Sequence, residues 1–333
     1  MASVKDVAER AGVSVGTVSN VLNRPEKVTD ATLARVRAAI DQLGFIRNDV
    51  ARQLRAGRSR MIGLVVLDVG NPFFTELARG AERRAAEDDL VILLGNSDEA
   101  SSTESKYLDL FEEQRVYGVL ITPAGSDLTR LRQLRERGTP MVLVDRTVEG
   151  ESFVSVSVDD VAGGRMAAEH LIGQGRRRVA FVGGPLTLRQ VVDRYKGASQ
   201  IVGTSADSSI EIIATDSLTV DAGRSAGEQI AARAPASRPD SVFAANDLIA
   251  IGLLQALLNA NVTVPGEIAI VGYDDIAFAS AAVIPLSSVR QPSYQIGYTA
   301  ADLLIRGSRG ENEVPEEVLY QPELVVRQSS FRA

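Results

Sequence analysis

The sequence has no cysteine and one histidine, His170, in 333 residues. Without thiols it makes no disulfide and offers no thiolate to a metal. A single imidazole removes most zinc chemistry and argues against a conventional Ser-His-Asp enzyme. No apolar run approaches the ~18 residues of a membrane span. The opening MASVKDVAERAGVS places acidic residues where a secretory signal has its apolar stretch. A soluble, cytoplasmic chain is expected, with no cofactor, no metal and no membrane partner. Hydrophobic residues at 45% and charged residues at 24% match globular averages and exclude wholesale disorder. At roughly 150 residues per domain, the length suggests about two domains and a small extra module.

The net charge of −7 hides an asymmetry. Residues 1–60 hold eleven Lys and Arg against six Asp and Glu, a net +5, which leaves −12 for the rest. A basic head on an acidic body is the footprint of a module that meets a polyanion, although many basic segments are only solvated faces.

The head reads as three short helices. Ser3-Val4-Lys5-Asp6 resembles a capping box with an acid at the third position, followed by Val7, Ala8 and Ala11 at helical spacing. Gly12 stops that helix and Ser14 caps a second, whose Val15, Val18, Val21 and Leu22 supply an apolar stripe. Thr29 is placed to cap a third, with Leu33, Val36, Ile40 and Leu43, closed by Gly44. This is a helix-turn-helix layout, and the spacing alone fits a generic three-helix bundle equally. Asn48 to Ala56 forms a further short helical stretch that ends at Gly57.

From Met61 apolar runs alternate with amphipathic segments. IGLVVLD, LVILLG, YGVLIT, MVLVD, RVAFVGG, EIIAT, VFAAN and IAIVGYDD predict eight strands, with helices between them. The alternation indicates parallel α/β sheets, and eight strands fit two successive doubly wound lobes better than one. Two motifs are decoys. Gly12-Val13-Ser14-Val15-Gly16 matches the spacing of a hydrolase elbow but joins two helices, where that motif needs a preceding strand. Gly183-Gly184-Pro185 lacks the Lys and hydroxyl of a phosphate loop.

VKDVAERAGVSVGTVSNVLN, followed in order by LDVGNPFF, VLVDR, GGPLTLRQVVDRYKG, FAANDLIAIG, VGYDD and VRQP, resembles the LacI/GalR (lactose-repressor) family of transcription regulators across essentially the whole chain. The resemblance implies three parts: a helix-turn-helix DNA-binding domain over 1–47, a hinge helix and linker over 48–60, and an effector and dimerisation domain over 61–333. The last would resemble a periplasmic binding protein of the ribose-binding type. Its first lobe would span about 61–159 plus 291–320, its second about 160–290 plus 321–333.

In such a protein the helix from Val15 enters the major groove. The resemblance assigns DNA contact to Ser14, Val15, Gly16, Thr17, Ser19, Asn20 and Asn23, and to Asn48, Ala51 and Leu54 of the hinge. Hydroxyls of Ser14, Thr17 and Ser19 suit phosphates, and the Asn20 amide suits adenine. Val15 and Gly16 offer a methyl surface and bare backbone. Leu54 falls where relatives wedge a central base step and kink the duplex. The plainer roles are a structural cap for Ser14, a solvated side chain for Asn20 and an interdomain contact for Leu54.

Carried over in the same way, the effector cleft comprises Asn71, Phe73, Phe74, Asp145, Arg146, Arg194, Asn246, Asp274 and Gln291. Aromatic faces cover a sugar ring while carboxylates, guanidinium and amides fix its hydroxyls. Each residue has a simpler role too: Asn71 caps a helix before Pro72, Asp247 caps another in place of Asn246, and Asp145 and Asp274 merely end strands. Leu218 departs from the aromatic that relatives often place there. The expected function is a non-enzymatic repressor of sugar catabolism or transport that holds a palindromic operator as a homodimer and is released by a monosaccharide such as a pentose. The alternatives are a corepressor, either a purine or a phosphorylated partner protein, and a sugar-binding module without DNA.

Overall fold

The computed structural model describes residues 2–45, 59–146, 153–311 and 317–331. The chain divides into two units, Met1–Arg58 and Ser59–Ala333.

The first unit contains α1 (Val4–Ala11), α2 (Val15–Asn23) and α3 (Asp30–Leu43). A reciprocal capping box opens α1: the Asp6 amide donates to Ser3 Oγ at 3.3 Å and the Ser3 amide to Asp6 Oδ2 at 2.7 Å. Gly12 ends it at φ 64°, a left-handed conformation that costs glycine little. Ser14 Oγ accepts the Thr17 amide at 3.1 Å and starts α2. Thr29 precedes α3 without capping it through its side chain, whose hydroxyl donates to Thr32 Oγ1 at 3.0 Å. Val7, Ala8, Ala11, Val18, Val21, Val36 and Ala39 are buried together, so each helix contributes its apolar stripe to one small core.

The second unit holds two six-stranded sheets. In the first, β1 (Met61–Val66), β2 (Val91–Asn96), β3 (Gly118–Ile121), β4 (Met141–Val144), β5 (Val154–Val158) and β11 (Glu317–Tyr320) lie in the order β11-β5-β4-β3-β1-β2, all parallel. In the second, β6 (Arg178–Gly183), β7 (Ser209–Ala214), β8 (Ser241–Ala244), β9 (Ala269–Asp274), β10 (Ser287–Arg290) and β12 (Glu323–Val325) run β12-β10-β9-β8-β6-β7, with only β12 antiparallel. Each sheet reverses its winding direction once, between β1 and β3 and between β6 and β8. Doubly wound sheets bind ligands at such switch points, beyond the carboxyl ends of their strands.

Helices on both faces bury the strands, which is why β1 and β9 read as unbroken apolar runs. The described residues hold twelve strands where the apolar runs predict eight. β5 is VSVSV, with Ser155 and Ser157 buried, so no apolar run marks it. β10 is SSVR, and its buried serines survive there because Ser287 Oγ donates to the Arg327 carbonyl at 3.0 Å and Ser288 Oγ to Asp247 Oδ1 at 2.7 Å. β11 and β12 are short and partly exposed, and α11 (Ala277–Ala281) spans five residues. None of the three carries a recognisable period.

Close helix crossings set the spacing of the layers. α7 (Asp160–Gly173) crosses α8 (Arg189–Val202) through Gly164 and Gly197. A Cβ on Gly164 would lie 2.0 Å from the Arg194 carbonyl oxygen, and one on Gly197 2.0 Å from that of Val161. The same reciprocal device joins α4 (Pro72–Ala86) to α12 (Ser293–Ser308) through Gly80 and Gly297, and α9 (Val220–Ala232) to α10 (Asp247–Asn259) through Gly223 and Gly252. Backbone cannot yield as a flexible side chain does, so Gly164→Ala forces α7 and α8 apart. Overpacking of this kind typically costs about 1–3 kcal/mol. Urea denaturation should show that loss, and an unchanged midpoint would mean that the close approach is dispensable.

Candidate functional site

The carboxyl ends of the two sheets face one another across a narrow cleft. Asn71 follows β1 and caps α4, its Oδ1 accepting the Phe73 amide at 3.0 Å. Pro72 at the first helical position needs no amide partner, so cap and proline together start the helix at the cleft. Phe73 and Phe74 are buried in an edge-to-face pair, ring centres 5.0 Å apart. Asp145 follows β4, Asn246 follows β8 and caps α10, Asp274 ends β9, and Gln291 follows β10.

These groups already bond across the cleft. Asn71 Nδ2 donates to Asp274 Oδ2 at 3.1 Å, and Gln190 Nε2 donates at 3.0 Å to both Oδ2 and the carbonyl oxygen of Asp145. Gln291 Nε2 donates to Asp274 Oδ1 at 2.7 Å. The remaining cavity is about 30 Å³, room for a water or two. A sugar ring therefore enters only by parting the lobes and exchanging these bonds for its own.

Arg194 forms the floor. Its Nε donates to Asp160 Oδ1 at 2.8 Å and its Nη1 to the Ala245 carbonyl at 2.8 Å, and the guanidinium lies 3.7 Å over the Tyr273 ring. Asp274 Oδ1 stands 4.0 Å from Nη1. Burial opposes the guanidinium's charge, but Asp160 and the neighbouring carboxylates hold it firmly protonated, above its ordinary value. Burial raises Asp160 and Asp274 despite Arg194, and raises Asp145 with help from the Asp160 charge. Three carboxyl groups thus share one cation, and each gains from a hydrogen-bond donor. Two buried acceptors, Asp145 Oδ1 and Gln291 Oε1, have no partner. Among the described residues no group of three or more His, Asp or Glu is placed to hold a metal ion.

Eight of the nine residues assigned to the cleft line the cavity, and Arg146 does not. Its guanidinium turns aside and donates to the Gly125 carbonyl, where burial and Arg189 weaken its hold on the proton. Asn246 both lines the cavity and caps α10, accepting the Ile249 amide at 2.9 Å and donating to the Leu218 carbonyl at 3.0 Å. The cap is therefore Asn246 and not Asp247, which is buried and accepts the Ile276 amide at 2.9 Å. Leu218 does line the cavity, joined by Leu188 and Val191, so this wall is aliphatic.

Leu67, Asp68, Glu99 and Gln190 complete the lining without having been assigned to it. Gln190 stands one helical turn before Arg194, a spacing that shares a face. Asp68 closes the first predicted strand. No pattern marks Glu99 or Asp160.

In the first unit α2 exposes Ser14, Val15, Gly16, Asn20 and Asn23, with Thr17 and Ser19 half-buried. Ser14 and Thr17 share a hydroxyl hydrogen bond of 2.9 Å, so both serve the cap. The Asn23 amide donates to the Ser19 carbonyl at 2.8 Å. Val15, 46% exposed at the helix start, presents methyl groups to solvent, which the head's core does not require. Asn48, Ala51 and Leu54 lie outside the described residues.

Residues 3–48 match the description "Bacterial regulatory proteins, lacI family", and residues 168–330 match "Periplasmic binding protein-like domain". Over 332 residues the chain is 36% identical to the ribose operon repressor of Bacillus subtilis, across 100% of this chain and 99% of that protein. The chain belongs to the LacI family. It is also 32% identical to the transcriptional repressor PurR of Photobacterium profundum over 333 residues, across 99% of this chain and 98% of that one. A solved complex of the transcriptional regulator CelR with cellobiose superimposes with a TM-score of 0.74 at 30% identity, covering 99% of this chain and 100% of that chain. Membership in the LacI family makes the first unit a DNA-binding head and the protein a transcriptional regulator, not an enzyme. No helix among the described residues is long and apolar enough to cross a membrane.

The head's surface has a consequence at Gly16. A Cβ there would meet only Ser14 Oγ, at an ordinary 3.6 Å. Alanine should therefore keep or raise stability by about 0.5–1 kcal/mol through helix propensity. Gly16→Ala should melt no lower than the parent yet change operator affinity at least several-fold in an anisotropy titration. A lower melting point would show that the glycine serves folding.

Proposed function

We propose that this LacI-family protein represses transcription by holding a palindromic operator as a homodimer, and leaves it when a monosaccharide occupies the cleft. The carrying observation is the convergence of Asn71, Asp145, Arg194, Asp274 and Gln291 on one cavity beside Phe73 and Phe74. Aromatic faces meet the apolar face of a ring, and buried polar groups would be left unpaired by a ligand lacking hydroxyls. The relative from Bacillus subtilis is a ribose operon repressor, which supports a pentose.

DNA readout falls to the exposed start of α2, with Val15 against a thymine methyl, Asn20 on adenine, and Ser14, Thr17 and Ser19 against phosphates. Leu54, with Asn48 and Ala51, docks in the minor groove at the operator dyad.

A bound ligand stabilises by RT ln(1 + [L]/Kd), about 2.7 kcal/mol at a hundredfold excess over Kd. A melting panel of pentoses, hexoses and purines on the full-length protein should give one clear monosaccharide stabiliser. Asp274→Asn, which turns one of the two oxygens that accept from Asn71 and Gln291 into a donor, should lose that stabilisation and retain operator binding. Stabilisation of the variant equal to that of the parent would place the effector elsewhere.

A further inference from the structure

The cavity's charge is one-sided. Asp68 and Glu99 add two carboxyl groups to those of Asp145 and Asp274, while Arg194 is the only Lys or Arg in the described lining. That guanidinium is committed to Asp160 and the Ala245 carbonyl, and Arg146 turns away to Gly125. Among the described lining residues no cation is left to receive an anion.

Glu99 is held in place at some cost. Asp98 and Glu99 both lie in the left-handed region, at φ 53° and 55°, which is unfavourable for side chains other than glycine and asparagine. The Glu99 amide donates to the Leu67 carbonyl at 3.2 Å, which ties its backbone to the end of β1, and its side chain lines the same cavity as that of Asp68. Asp68 Oδ1 in turn accepts the Gly70 amide at 2.8 Å. Burial first, and then the charges of Asp68 and Asp98, push the Glu99 carboxyl up to about 7. The Leu218 backbone amide acts the other way and favours the charged form. Asp145 Oδ1 and Gln291 Oε1, buried in the lining without partners, are acceptors that wait for donors. A hydroxyl-rich neutral ring brings donors, whereas a phosphate ester brings acceptors and negative charge.

We infer that Asp68 and Glu99 form an anion filter: they restrict the effector to an uncharged free sugar and exclude its phosphate esters. The filter presupposes that the cleft is the effector site proposed above. Arg194 leaves it intact, because a like-charge pair in a narrow, poorly solvated cavity is screened far less than at a surface.

The test uses the full-length protein and three probes in titration calorimetry: D-ribose, 5-O-methyl-D-ribose and D-ribose 5-phosphate. The two substituted sugars share the same blocked ring closure, so their ratio isolates charge. The parent should bind the methyl ether at least tenfold tighter than the phosphate. Asp68→Asn with Glu99→Gln should reduce that ratio to about threefold or less, and the single variants should fall between. Equal binding of ether and phosphate by the parent would overturn the filter. So would a ratio unchanged in a double variant that still binds D-ribose, or D-ribose binding with rejection of both derivatives, which is exclusion by size. Should the double variant not fold, the single variants and the parent's own ratio decide. Failure of all three sugars to bind would remove the pentose effector and the filter with it, whereas D-ribose binding without charge discrimination removes the filter alone.

Discussion

The cleft depends on how closely α7 approaches α8. Gly164 and Gly197 bring the two backbones together, one turn beyond Asp160 on one helix and close to Arg194 on the other, and so seat Arg194 on Asp160 at 2.8 Å. A buried ion pair of this kind adds little net stability, since desolvation cancels much of the attraction, but removing one partner costs about 3–5 kcal/mol. Its value here is positional. The guanidinium is oriented and charge-satisfied from within, against Asp160, the Ala245 carbonyl and the Tyr273 ring. Asp274 and Asp145 are then left as acceptors for whatever enters between the lobes.

The same polar groups bond across the cleft. Asn71 bonds to Asp274 and Gln190 to Asp145, each joining a group of the first sheet to one of the second. A ligand with hydroxyls can replace both bonds and add partners for Asp145 Oδ1 and Gln291 Oε1. It can shift the arrangement of the lobes only by the difference between its affinities for the two arrangements. Tight binding alone would transmit nothing to the head.

Much of this was legible in the sequence, for physical reasons. The head announces itself through caps and glycine stops: Ser3 with Asp6, Gly12, Ser14 and Gly44 all act where local rules place them. Thr29 stands at the start of α3 as expected but makes no side-chain cap. Strands buried on both faces appear as apolar runs, but β5 and β10 escape because buried serines break the run, those of β10 held by hydrogen bonds that only the fold supplies. Six of the nine cleft residues carried over from the family follow or end strands, where doubly wound sheets gather side chains, and Phe73, Phe74 and Arg194 come from the helices that start there. Arg146 sits among them in sequence and turns to Gly125 in space, since chain position does not fix the direction of a long side chain. Glu99 and Asp160 carry no local signal, since a left-handed turn and a helix crossing bring them in.

The central claim is that occupation of the cleft weakens the grip of the head on DNA. The direct measurement is the operator dissociation constant of the full-length protein at fixed salt, by fluorescence anisotropy, without sugar and with a saturating monosaccharide. Coupling of about 1–3 kcal/mol, typical between linked sites, predicts that the constant rises about 5–150-fold. A constant that is unchanged, or that falls as the sugar binds, would contradict the account.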